Sequence, residues 1–251
     1  MGQEFLTLFS SPIRVEILFL LRDQPLSLSE LSEKLGQVSK SEVSRHLARL
    51  ADKNLVEKEG FSSRNHTLTP FGRSILPLIS PLNFINKNEK YFKRHSLTDL
   101  PLELIRRIDE LKAAKMVNGA IKAITTIKES LDATENELWA MYSSAPPFNN
   151  EKICKAKLIV KPDYYKTEVI PRKNEHQMPN LLRKNVEFRL IYQITVGMAI
   201  LDQKTAFISF PRRKEESTDL KTLFVVTDPV GLQYVKDIWE YFWEQAKRPD
   251  G

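Results

Sequence analysis

Lys40, Ser41, Ser44, Arg45 and Arg49 lie along one side of a short segment. Their types suit nucleic acid: an arginine fork matches the O6 and N7 acceptors of guanine, and lysine and hydroxyl groups suit phosphate. On the opposite side Val43, Leu47 and Leu50 fall at i, i+4 and i+7, a stripe for a core. A helix with these two faces is shaped for the major groove of DNA. Arg45 and Arg49 are its expected base readers. Ser39, Lys40 and Ser41, at the helix start, favour phosphate because free N–H groups there add attraction. Ser44 shares that face, and His46 either contacts a phosphate or sits at the helix edge.

Such a helix needs elements to hold it. Ser11-Pro12 opens a first helix, with a cap followed by a proline whose missing N–H costs nothing. Ser27-Leu28-Ser29-Glu30 and Ser39-Lys40-Ser41-Glu42 read as capping boxes opening a second and a third. Residues 55–59 and 65–68 then read as two strands of a wing, with Phe61, Ser62, Ser63 and Arg64 at its tip. Arg64 is placed for the minor groove or its backbone, or is an ordinary exposed turn arginine. Thr69-Pro70 repeats the cap-plus-proline start, so a helix is expected from about Phe71 through the eighties, broken or kinked by Pro77 and Pro81.

Asn86-Lys87-Asn88-Glu89-Lys90 is a polar boundary or a solvated helix, and residues 95–101 are turn-like. A helix should carry Leu104, Ile105, Ile108 and Leu111, and another, over 117–131, has Ile121, Ile124, Ile127, Lys128 and Leu131 marking its faces. Beyond these the pattern alternates. Residues 138–142, 156–160, 186–192, 197–201, 206–210 and 223–227 are strand candidates, with a crossing helix over 174–184. A final helix over 230–247 carries Leu232, Val235, Ile238, Trp239, Phe242 and Trp243, as core against the sheet or in part as a dimer contact. The expected fold class is α+β / α/β: a winged helix-turn-helix over 1–90 and a mixed α/β sheet domain over 96–251.

The N-terminal motifs resemble the arsenic-repressor (ArsR-like) winged-helix family. The residues concerned are Ser10-Ser11-Pro12-Ile13-Arg14 through Leu21, Leu31-Ser32-Glu33-Lys34-Leu35 and Val43 through Leu50. Ser44-Arg45-His46-Leu47 is similar to the recognition-helix core of that family, and Leu68-Thr69-Pro70-Phe71-Gly72 to its wing exit. Metal sensors of the family carry a cysteine pair in a helix here, and this segment has none. The stretch from Leu97 to Ile108, then Phe188-Arg189-Leu190, Val196 through Asp202, Phe207 through Pro211 and Ile238 through Trp243 resemble the methanogenesis-regulator (filamentation-regulator) domain. This second resemblance implies an archaeal transcription regulator whose sheet is related to phospholipase-D-like regulatory domains. Phospholipase-D chemistry uses a histidine with a lysine two residues later. The four histidines, His46, His66, His95 and His176, are followed there by Ala48, Leu68, Leu97 and Met178, so no catalytic residue is expected.

Composition narrows the classes further. A net charge of +6 over 251 residues splits into +4 up to His95 and +2 beyond it, so the excess is denser in the shorter part. The 41 % hydrophobic content can fill two ordinary cores. One cysteine, Cys154, excludes an intrachain disulfide and fits a reducing cytoplasm. The histidines have no metal-ligand spacing, and only 8 glycines leave little room for a phosphate loop. The longest apolar run near the start, 17–21, is too short for a signal peptide or membrane span.

These readings combine into a cytoplasmic DNA-binding transcription regulator without cofactor or metal. Its expected partners are double-stranded DNA, a second copy in a homodimer, and a small-molecule effector or protein partner. Tyr142, Phe148, Arg189, Tyr192 and Met198 are the candidates for effector binding, although strand alternation makes Arg189 equally a solvated residue. Two alternatives stand beside this reading: a winged helix used for protein contacts, and a small-molecule enzyme in the second domain.

Overall fold

The computed structural model describes residues 2–60, 63–142, 152–153, 155–169, 185–212, 219 and 221–249, with side chains from residue 5 onward. The chain divides into two compact units, Met1–Lys87 and Asn88–Gly251.

In the first unit α1 (Gly2–Thr7) and a 3-10 turn (Leu8–Ser10), neither expected from the pattern, precede the three helices. The buried Arg14 ties them down, donating from Nε to the Leu8 carbonyl and from Nη2 to the Thr7 carbonyl, both at 2.7 Å. Helix α2 (Pro12–Leu20) is capped by Ser11, whose side chain accepts from the Arg14 N–H. A two-residue strand, β1 (Leu26–Ser27), leads into α3 (Leu28–Lys34). There both halves of the Ser27–Glu30 capping box are present. Helix α4 (Lys40–Asp52) follows, but only half of its expected box forms: Ser39 accepts from the Glu42 N–H at 3.3 Å.

Strands β2 (Val56–Lys58) and β3 (Asn65–Leu68) form the wing, and β1 pairs with β3 to make a three-stranded antiparallel sheet in the order β1-β3-β2. Helix α5 (Pro70–Lys87) runs through both Pro77 and Pro81, so of the expected break or kink the break does not occur. The carbonyls those prolines leave unpaired belong to Arg73 and Pro77, which are exposed, and water can take the lost bonds. Val43, Leu47, Leu50 and Leu55 join Leu18, Leu21 and Leu31 in one core.

The second unit opens with α6 (Glu89–Phe92) and α7 (Leu102–Ile105). The helix expected through Leu111 stops at Ile105 and resumes as a 3-10 segment, Ile108–Ala113, which still buries Ile108 and Leu111. Val117 is not helical. It lies in β4 (Lys115–Asn118), opposite Leu223, and Gly119 at φ 101° turns the chain into α8 (Ala120–Asp132). The left-handed turn needs glycine, and helical spacing starting at Ile121 hid the strand before it.

The other strands are β5 (Glu137–Met141), β6 (Lys155–Val160), β7 (Val186–Leu190), β8 (Gly197–Leu201), β9 (Thr205–Ser209) and β10 (Thr222–Val226). Between β6 and β7 come a short turn of helix, α9 (Pro162–Tyr164), and a wider one, Tyr165–Val169. The crossing helix expected over 174–184 lies outside the described residues. The sheet runs β4-β10-β9-β8-β5-β6-β7, with β5, β6 and β7 mutually parallel and the other pairs antiparallel. Helix α8 packs on the face bearing Leu138, Ala140 and Phe207. The last helix, α10 (Pro229–Gln245), packs against β8 and β9 and buries Trp239, Phe242 and Trp243, as the core reading requires.

Candidate nucleic-acid interface

A tight turn brings α3 to α4. Gly36 adopts φ 69°, its N–H bonds to the Glu33 carbonyl at 3.1 Å, and Ser32 Oγ donates to the Val38 carbonyl at 2.9 Å. The turn holds α4 with Val43, Leu47 and Leu50 inward. Lys40, Ser41, Ser44, Arg45 and Arg49 are then all exposed on the outer side, as is the cap Ser39. Five of the expected contact residues therefore share a solvent-facing helix surface, and Ser39 places its hydroxyl at the helix start, 3.0 Å from Ser41 Oγ.

His46 behaves differently. It is half-buried beneath that surface, 3.8 Å from Glu42, and its Nδ1 is buried with no hydrogen-bond partner. Burial lowers its pKa first and the Arg14 charge adds to this, while Glu42 pulls the other way; the net shift is downward. Its ring is thus held toward the neutral form, ill suited to phosphate.

At the wing, Ser63 Oγ accepts from the Asn65 N–H at 3.0 Å, a use as a turn brace. Arg64 beside it is exposed. Phe61 and Ser62 lie outside the described residues. Lys58, missed in the sequence because it falls in a short strand, is exposed on β2 and adds a cation to the wing.

Of the residues proposed for an effector, only two come together among the described residues. Tyr142 and Met198 line one cavity of about 90 Å³ between α8 and the sheet. Arg189 is taken up elsewhere: Nη1 donates to the Trp243 carbonyl at 2.7 Å and its guanidinium lies 4.3 Å from the Trp243 ring centre. Tyr192 is 83 % exposed, and Phe148 lies outside the described residues. The small residues Gly197, Ala199 and Ser209, which also line the cavity, went unnoticed because alternation draws attention to large side chains.

A three-stranded wing beside a helix-turn-helix with a basic outer helix defines the first unit as a winged helix-turn-helix domain of the kind found in DNA-binding regulators. Residues 11–58 match the arsR family of bacterial regulatory proteins, so the unit carries an arsR-type helix-turn-helix. An uncharacterized HTH-type transcriptional regulator of Methanocaldococcus jannaschii is 44 % identical over 50 residues, which are 20 % of this chain and 52 % of that protein. The chain thus spans about half the length of that relative. Among solved structures, TrmBL2, described as an archaeal chromatin protein, aligns over 94 % of this chain and 92 % of its own, at 16 % identity and a TM-score of 0.38. Nuc, a phospholipase D family member from Salmonella typhimurium, aligns over 55 % of this chain and 98 % of its own, at 12 % identity and 0.38. Scores this low carry no weight, and the architecture rests on the chain's own elements. Among the described residues no helix is long and apolar enough to cross a membrane, and no cluster of His, Cys, Asp and Glu could hold a metal ion.

Proposed function

We propose that this protein is a cytoplasmic DNA-binding transcription regulator. In this reading the part within residues 1–90 reads double-stranded DNA, and the part within 96–251 is a non-catalytic domain that senses an effector or partner. The observation that carries it is the outer face of α4, where Lys40, Ser41, Ser44, Arg45 and Arg49 are exposed over a fully apolar inner stripe. Arg45 and Arg49 read base edges. Lys40, with Ser39 and Ser41 at the helix start, binds phosphate, and Arg64 with Lys58 follows the wing along the backbone. His46 serves this helix as a half-buried spacer held toward its neutral form.

The working form is a homodimer, supported by an apolar stripe on α5 where Leu78 and Leu82, one turn apart, are each 65 % exposed with Phe71 beyond them. Two copies would then present two recognition helices to successive major grooves about 34 Å apart. The test is fluorescence anisotropy of the full chain against DNA from upstream of its own gene and an unrelated duplex, at several salt concentrations. Salt-steep binding that prefers the upstream DNA and is lost in Arg45→Ala/Arg49→Ala supports the reading. Equal, weak binding untouched by those substitutions overturns it.

A further inference from the structure

The cavity between α8 and the sheet owes its existence to small side chains. On the face that α8 covers, β5, β8 and β9 bring together Ala140, Gly197, Ala199 and Ser209, through the pairs Ala140 with Ala199 and Gly197 with Ser209. A sheet face is ordinarily filled by branched or aromatic side chains, and four small ones in adjacent strands leave a depression. Ile127 and Leu131 of α8 wall it on one side and Tyr142 on another. No charged side chain lines it among the described residues. Its volume, about 90 Å³, accommodates one small ring or a branched alkyl group rather than a peptide.

One lining residue continues into a buried polar chain. The Ser209 hydroxyl donates to the Asp219 carbonyl, and Asp219 Oδ2 lies 2.8 Å from His95 Nε2, both side chains being almost wholly buried. His95 Nδ1 is 2.8 Å from the Tyr91 carbonyl, and the two rings stack at 3.7 Å with 8° between their planes. The Tyr91 hydroxyl in turn accepts from the N–H of Phe210, the residue after Ser209, at 3.0 Å. Tyr91 belongs to α6, four residues beyond Lys87, the last residue of the DNA-reading unit. This buried Ser–Asp–His–Tyr chain ties Tyr91 of α6 to the end of β9. Such chains are costly when half-satisfied, so a change at one member is felt by the others.

We infer that the cavity takes a small uncharged apolar ligand, of single-ring or branched-alkyl size, and that its occupancy is passed through Ser209, Asp219 and His95 to Tyr91 and α6. This rests on the reading of the second unit as a sensor and gives that sensor a site and an output segment. A ligand pressing on Ser209 displaces its hydroxyl, and the Asp219–His95–Tyr91 arrangement must follow or break. The segment it moves directly follows the DNA-reading unit in the chain.

Fluorobenzene is the probe. Fluorine NMR of the full chain should show saturable binding. Ala199→Phe, or the milder Ala199→Leu, should abolish it while the melting temperature followed by tryptophan fluorescence is kept. Hydrogen exchange of the amides of residues 89–92 should change about fivefold or more on saturation, the lower range of ordinary couplings. In His95→Gln and Asp219→Asn fluorobenzene should bind unchanged while those amides no longer respond. Failure of folded wild-type protein to bind fluorobenzene overturns the site. Binding without an exchange response, or a response that survives both relay substitutions, overturns the relay. None of these readouts involves DNA, so they stand or fall apart from the anisotropy titration.

Discussion

In the proposed reading, Arg45 and Arg49 owe their value to position more than to charge. Each projects from a helix whose inner side is fully committed to the core, and each is free to form a bidentate fork. Arg45→Ala and Arg49→Ala should each remove about 1–3 kcal/mol of base discrimination. Lys40→Ala should instead weaken all duplexes alike and lower the salt slope by about one. Anisotropy titrations over a salt series separate the two behaviours. Asp202 offers a test of a different kind. It sits in the β8–β9 turn at φ 49°, where its carboxylate accepts from the N–H groups of Glu135, Asn136 and Glu137 at 2.8–2.9 Å. Burial works to raise its pKa, but the three bonds outweigh it and hold the carboxyl below the ordinary aspartate value. A carboxyl lowered on folding stabilises the fold fully above its unfolded pKa of about 3.9, and the contribution drains away as pH falls below that point. Asp202→Asn keeps a residue suited to the left-handed turn and removes the charge. It should cost about 1–2 kcal/mol at neutral pH and progressively less as pH falls below 4, read from urea unfolding followed by tryptophan fluorescence.

Elements meet most tightly where α5 leaves the wing. Thr69 caps the helix, its hydroxyl accepting from the Gly72 N–H at 2.9 Å and donating to the Asn54 carbonyl. Gly72 lies so close to the strand entry that a Cβ there would run into the Leu55 carbonyl oxygen. Gly72→Ala should therefore destabilise the first unit by about 1–3 kcal/mol or more, since the obstacle is backbone. Ser27→Ala, which opens the capping box of α3, should cost about 1 kcal/mol. Differential scanning calorimetry ranks the two. The Leu68-Thr69-Pro70-Phe71-Gly72 motif was legible because each residue has a local reason to be there. Strand β4 was not, because four residues of mixed character gain strand form only by pairing with β10 across a hundred residues of chain.

At the scale of the whole molecule, all three tryptophans, Trp139, Trp239 and Trp243, lie in the second unit, packed together with ring centres 4.5–4.6 Å apart. Tryptophan emission therefore reports that unit alone, while far-UV circular dichroism reports both. In Gly72→Ala the dichroism curve should gain an earlier transition and the tryptophan curve should stay in place. If the two curves move together, the units unfold as one cooperative body. The homodimer is tested at this scale too: Leu78→Glu with Leu82→Glu should turn a dimer into a monomer in sedimentation equilibrium and weaken DNA binding steeply, because a paired half-site contact is lost.

Local chemistry determined the central elements of the first unit, though not α1, the 3-10 turn or β1. Caps, prolines, a 3.6-residue apolar stripe and a turn-bounded hairpin act within a few residues of chain, so α2, α3, α4 and the wing could be read from Ser11, Ser27, Ser39 and their neighbours, and the basic face of α4 came with them. Alternation likewise placed six strands of the second unit to within a residue or two. What tertiary structure alone decided is long-range: the strand order, the half-burial of His46 and the contact of Arg189 with Trp243. The meeting of Ser209, Asp219, His95 and Tyr91 behind a hollow left by small residues belongs with them. None of these has a local signature, because each depends on which distant segment fills the space beside it.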